Sequence, residues 1–180
     1  MGKQIGIKKK IQGHTNTALD NDGRRESAAI SEALDKDSVE LIFSSPLNRA
    51  YSTIEPLAKR KQKAIICSKN LIERGFGVVE GLEIENITSA KSYEQKLILR
   101  KTVAKNYRPD GGESVYDVYI RVKEFLEFLS TIDIKGVVVC MTHGGVLDIL
   151  YRIIKDKPLS SERKWVIPNG AFFLLERCKS

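Results

Sequence analysis

Histidine and cysteine are scarce in this 180-residue chain, which has two of the first and three of the second. The cysteines, Cys67, Cys140 and Cys178, are widely spaced, and no Cys/His spacing has the form of a zinc site. An odd, scattered set also argues against a disulfide framework, and points to a reducing, cytoplasmic setting. Cys67 and Cys140 lie in the runs AIIC and VVVCM, where a free thiol behaves as a small buried hydrophobe. No apolar run approaches the roughly 20 residues of a membrane span. The basic opening MGKQIGIKKKIQG has no apolar stretch behind it, so it does not read as a secretory signal. Gly6 stands where a myristoylation motif requires Ser or Thr. Glycine and proline, at 13 and 5, are too few for collagen-like or low-complexity sequence.

What is present describes a folded domain. Hydrophobic residues make up 42% of the chain and charged ones 29%, and 180 residues are enough to bury a core, so residues 1–180 are expected to form a single domain. The net charge is +7 and the pI about 9.3, which favours anionic partners without separating nucleic acid from small phosphoesters. Lys8-Lys9-Lys10 and Lys59-Arg60-Lys61 read as solvated faces, and no nucleic-acid-binding motif accompanies them.

Residues 39–44 (VELIFS), 64–67 (AIIC), 136–141 (GVVVCM) and 171–176 (AFFLLE) read as strands. Their apolarity is continuous rather than alternating, as in a parallel sheet covered on both faces. Helical periods lie between them. Asn21 or Asp22 would cap a helix through Ile30, Ala33 and Leu34. Leu47, Ala50, Ile54, Leu57 and Ala58 share one helical face, with a kink expected at Pro56. Val115, Val118, Tyr119, Val122, Phe125, Leu126 and Leu129 form the strongest stripe, opened by the capping-box pattern Ser114-x-x-Asp117. A further helix is predicted from about Val146 to Ile154, and residues 83–106 read as a partly helical excursion. Strand alternating with helix predicts an α/β, three-layer sandwich with a mainly parallel sheet.

Two strand-to-helix junctions suit an anion. Strand 39–44 runs into Ser44-Ser45-Pro46-Leu47-Asn48-Arg49, and strand 136–141 into Thr142-His143-Gly144-Gly145. Ligands of open α/β sheets bind beyond the carboxyl ends of the strands, where free helix N-terminal amides attract negative charge. Arg49 offers a bidentate fork, and His143 a donor that titrates near neutrality. Gly144 and Gly145 let an anion approach the backbone. An arginine in a first helical turn opposes the helix dipole, and an anion beside Arg49 would offset that cost. Either junction alone reads equally as an ordinary βα turn. A third segment, Leu71 to Gly81, sets Glu73 and Glu80 among glycines and apolar residues. A carboxyl in such a setting can serve as a general acid, or can simply cap a helix or pair with Arg74.

In this order the segments resemble the histidine phosphatase superfamily, its phosphoglycerate-mutase-like group. Residues 11–17 with Leu19 and Gly23 look like the "QGxxDxPLxxxG" stretch, and Ser44 to Ala50 with Thr53 like "SSxLxRAxxT". Leu71 to Gly81 is similar to "LxExxFGxxEG", Gly112-Glu113-Ser114 to "GES", and Thr142 to Gly145 to "THGG". The resemblance implies action on small phosphomonoesters without a metal or other cofactor. Arg49, His143 and Gly144 would hold the phosphoryl group, His143 would stabilise it during transfer, and Glu73 would donate a proton. The compact 83–106 excursion is closer to phosphatase-type members than to glycolytic mutases.

The family forms its phosphohistidine on another histidine, in an "RHGE(T)xxN" motif ending a central first strand. Counted back without gaps from Gln12-Gly13, the "GETxxN" positions fall on residues 1–6, with Gly6 in place of the asparagine. The resemblance therefore predicts a chain whose first central strand and nucleophile are missing, inactive as it stands. His14 is expected to be an ordinary loop residue, and residues 3–8 a poor substitute strand. The alternative is a pseudoenzyme that binds phosphorylated ligands or serves as an interaction module. The expected partner is a small phosphorylated molecule, with no membrane and no nucleic acid, and with room for a homodimer.

Overall fold

The computed structural model describes residues 10–82, 104–159 and 167–176. The element order is helix α1 (Asn21–Ala33), strand β1 (Val39–Ser44), α2 (Asn48–Lys61), β2 (Ile65–Cys67), α3 (Val115–Thr131), β3 (Val137–Met141) and α4 (Gly144–Ile154). The three strands form one parallel sheet in the order β2-β1-β3. Most of the predicted 83–106 excursion, and the substitute strand at 3–8, lie outside the described residues.

Apolar side chains on both faces of the strands hold three layers together. On one face Ile30 of α1 and Ile54, Leu57 and Ala58 of α2 pack with Val39 and Ile42, joined by Val139 and Met141. On the other face Phe43 meets Phe125 of α3 edge-on, with centroids 5.5 Å apart, and Leu41, Val138 and Cys140 fill in around them. α4 packs on α3 through Val146 and Ile149 against Val118 and Val122. Ile42, Ile54 and Leu57 are wholly buried, each contributing about 1.5–3 kcal/mol. Continuous rather than alternating apolarity in β1 and β3 is thus the mark of a sheet covered on both sides.

Side chains fix the helix ends. Ser114 and Asp117 form the predicted capping box on α3. On α1 the cap is Asp20, one residue earlier than expected, because its carboxylate reaches the Gly23 amide at 2.8 Å. Pro56 lies inside α2, which continues through it. A proline has no N–H for the carbonyl four residues back. That carbonyl, on Ser52, instead accepts from the Ser27 hydroxyl of α1 at 3.4 Å, alongside the Thr53 carbonyl at 2.7 Å. The Glu40 carboxylate accepts from the Lys135 and Gly136 amides and so fixes where β3 begins.

Three expectations are corrected. Residues 171–176 belong to no strand of the described sheet, since apolarity alone makes no ladder. Cys67 is exposed, because it ends the short outer strand β2 rather than an inner one. α4 starts at Gly144, two residues before its apolar stripe. The expected first central strand has no counterpart among the described residues; β1 takes the middle of the sheet, and β3 lies at one edge. No helix among these residues is long and apolar enough to cross a membrane.

Candidate functional site

Parallel β1 and β3 end side by side, with Ser44 paired to Met141, so the two junctions open at one place. The Ser45 amide donates to the Met141 carbonyl at 2.9 Å, which joins the junctions through the backbone. His143 leaves β3 as the N-cap residue of α4 and is 8% exposed. Its Nε2 is hydrogen-bonded at 2.8 Å to Oγ of Ser45, itself wholly buried. Burial, followed by the charges of Arg49, Arg121 and His14, pulls the His143 pKa from an ordinary 6.5 to about 3. The imidazole is therefore neutral at physiological pH.

Arg49 enters from the first turn of α2. One terminal nitrogen donates to the Thr15 carbonyl at 2.9 Å and the other to the Gly13 carbonyl at 2.8 Å. Two of the five guanidinium donors are thus committed to the loop, and the rest remain for an anion. Burial pulls the Arg49 pKa down, against the opposing pull of Glu73 and Glu80. Asn16, from the same loop, accepts from the Asn48 amide at 2.8 Å and covers the start of α2, which has no cap of its own.

Glu73 takes the third side. Its carboxylate accepts from the Arg74 amide at 2.8 Å and lies 3.4 Å from the Gly145 amide of α4. A Cβ at position 145 would meet Oε1 of Glu73 and push that carboxylate aside. Thr142 donates to the Leu71 carbonyl at 2.7 Å and ties this loop to the end of β3. Arg49, Glu73, His143 and the first amides of α4 are therefore brought together.

Glu80 is not part of this group. It accepts from the His14 and Phe76 amides and the Thr15 hydroxyl. Burial works to raise its pKa, but those bonds outweigh it and the net shift is downward. Of the two carboxylates in one loop, one faces the pocket and the other holds the loop's shape. His14 is more than a loop residue: its Nε2–H donates to the Glu73 carbonyl at 2.7 Å and lies 3.7 Å from the Glu113 carboxylate.

Ser45 and Arg121 were not singled out by sequence. Arg121 lies on α3 and donates to both oxygens of Glu113, and to the carbonyls of Asn70 and Glu73. One sign was available, since Arg121 is a lone cation beside Val118, Val122 and Phe125 on the buried face of α3. Among the described residues no group of three or more His, Cys, Asp or Glu could hold a metal ion.

Known proteins share this fold. A family profile described as "Histidine phosphatase superfamily (branch 1)" matches residues 4–179. Phosphoglycerate mutase-like protein 4 of Arabidopsis thaliana is 29% identical over 145 residues, covering 79% of this chain and 63% of its own length. Phosphoserine phosphatase 1 of Hydrogenobacter thermophilus is 26% identical over 168 residues, covering 92% of this chain and 78% of its own. The structure of a mycobacterial glucosyl-3-phosphoglycerate phosphatase with inorganic phosphate superposes with a TM-score of 0.71 at 29% identity, covering 86% of this chain and 77% of that one.

Proposed function

The chain belongs to the histidine phosphatase superfamily, and on that premise we propose that residues 1–180 act as one phosphatase-type domain that holds the phosphoryl group of a small phosphomonoester. In this reading the group sits beyond the ends of β1 and β3. Arg49 grips two of its oxygens, His143 and the Gly144 amide take the others, and Glu73 gives a proton to the leaving oxygen. The observation that carries the reading is the meeting of Arg49, Glu73, His143 and the α4 amides, which come from three separate segments. The relatives' names agree with it, since phosphoserine and glucosyl-3-phosphoglycerate are both small phosphomonoesters. A cytoplasmic location accompanies this reading.

Hydrolysis by the family's route needs an attacking imidazole. The histidines of these 180 residues are His14 and His143. His143 is committed to the phosphoryl group, and the His14 side chain is turned onto the Glu73 backbone. The 180-residue chain is therefore a binder of phosphomonoesters that does not turn them over by itself.

Thermal melts with inorganic phosphate or orthovanadate test the binding half. A ligand that favours the native state must raise its stability, so the midpoint rises with phosphate. In Arg49→Ala the same rise requires on the order of tenfold to a hundredfold more phosphate, the equivalent of losing about 1.5–3 kcal/mol of charge-assisted hydrogen bonding. A wild-type midpoint indifferent to both anions would overturn the site. Hydrolysis of an aryl phosphate that is lost in His143→Ala, or acid-labile phosphate trapped on the chain, would overturn the binding-only reading.

A further inference from the structure

The Ser45 hydroxyl is wholly buried and has two hydrogen-bond neighbours among the described residues. The Leu47 amide, at 3.3 Å, can only donate to it. The other neighbour is Nε2 of His143, at 2.8 Å. The adjacent Ser44 hydroxyl is turned to the Ser45 carbonyl and takes no part. A hydroxyl has one proton to give and two lone pairs to fill. If Nε2 carried the ring hydrogen, Ser45 would accept twice, and its own proton would be left without an acceptor where water does not reach. If Ser45 donates to Nε2, every group at this contact is satisfied.

The second observation concerns the other ring nitrogen. At neutral pH the ring carries one hydrogen, because burial and the nearby cations oppose a second. With Nε2 accepting, that hydrogen lies on Nδ1. Nδ1 has no hydrogen-bond partner among the described residues. Of the side-chain polar atoms sealed from solvent there, the Ser31 hydroxyl alone is unpartnered, so Nδ1 is the ring nitrogen that reaches solvent.

We propose that Ser45 is a positioning residue, which donates to Nε2 and so holds His143 in the form that presents an Nδ1 hydrogen to a phosphoryl oxygen. The role rests on the phosphoryl reading of the site given above. It lets a neutral ring serve an anion, since the hydrogen bond needs no second proton. Without Ser45 the hydrogen is free to settle on Nε2, and Nδ1 then turns a lone pair toward the anion. The serine is itself held in place, because its amide donates to the Met141 carbonyl at 2.9 Å and its oxygen accepts from the Leu47 amide. Wholly buried and spent on the ring, its hydroxyl touches no substrate.

Nitrogen-15 NMR of the two imidazoles, without ligand at neutral pH, tests this on the wild type, with His143→Asn telling its signals from those of His14. The expected ring has its hydrogen on Nδ1 and a bare Nε2; a hydrogen on Nε2 would overturn the proposal, and no variant has to fold to show it. Ser45→Ala should bring the Nε2–H form into view. It should also raise the phosphate concentration needed for a given rise in melting midpoint by roughly twofold to tenfold. Asn16 bonds the Asn48 amide of the same junction and neither of these side chains, so Asn16→Ala should leave the ring as in the wild type. A Ser45→Ala ring held wholly in the Nδ1–H form would overturn the role of Ser45, as would an Asn16→Ala ring that shifts as far. Phosphate added to the wild type should move the Nδ1 hydrogen resonance. A midpoint that rises while that resonance stays put would leave the anion site intact and overturn the donation. A wild type indifferent to phosphate would overturn the reading of the site and the donation with it, while the ligand-free ring still decides what Ser45 does.

Discussion

The two strand-to-helix junctions have the same plan but are finished differently. At the end of β1 the chain satisfies itself: Ser44 and Ser45 are wholly buried, Asn16 covers the start of α2, and two donors of Arg49 are spent on loop carbonyls. At the end of β3 the helix starts on two glycines with no side-chain cap, and the nearest carboxylate, Glu73, lies at a long 3.4 Å from Gly145. One junction is built as a support and the other is left with amides to offer. An anion site needs both, because a cation can be aimed only from a fixed helix, and a dipole can be used only where nothing already neutralises it.

The contrast can be sharpened most at His143. Its pKa is depressed, so the unfolded chain takes up a proton at about 6.5 while the folded one resists until about 3. Stability should be insensitive to this group above pH 6.5, and should fall as the pH drops from there toward 3, at about 1.4 kcal/mol per unit and several kcal/mol in total. Chemical denaturation of the wild type and His143→Asn at a series of pH values reads this directly. The variant should lose that part of the slope.

A smaller effect separates support from site. Asn16→Ala uncovers the start of α2 and should cost about 1 kcal/mol of stability in urea melts. Phosphate-induced stabilisation should survive, because Arg49 keeps its two carbonyl partners. If binding were lost as well, Asn16 would belong to the ligand surface and the contrast would fail. An effect of similar size is expected at the other junction. Thr142→Val removes the bond to the Leu71 carbonyl and should cost about 0.5–1.5 kcal/mol. Because that bond holds the Glu73 loop, phosphate affinity should fall with it.

Much of the fold could be read from local sequence. The covered strands at 39–44 and 136–141, the stripe from Val115 to Leu129 and the Ser114 capping box are all set by neighbours within a few residues, and all appear. What escaped depended on distant partners. Whether 171–176 forms a strand depends on what lies next to it in space, and periodicity carries no information about that. Cys67 looked buried because its run is apolar, but β2 has a neighbour on one side only. At the site, Arg49, Glu73, His143 and Gly144 could be singled out by residue type and position. The division of labour between Glu73 and Glu80 could not, since it is decided by which amides each carboxylate reaches. Local sequence makes His14 an ordinary loop residue for the same reason: its role depends on the Glu73 carbonyl, 59 positions along the chain.

Arg121 has a consequence for how the pocket can move. A single guanidinium holds the carbonyls of Asn70 and Glu73 together with the carboxylate of Glu113. The Gly75 amide is bonded to that same carboxylate, and the Glu113 amide to the Gly75 carbonyl. Neither the loop carrying Glu73 nor the turn before α3 can loosen alone, because each is clamped through one side chain on a helix. Loosening either one therefore means breaking bonds to the other. Anything held against that wall would then depend on an arginine that need never touch it.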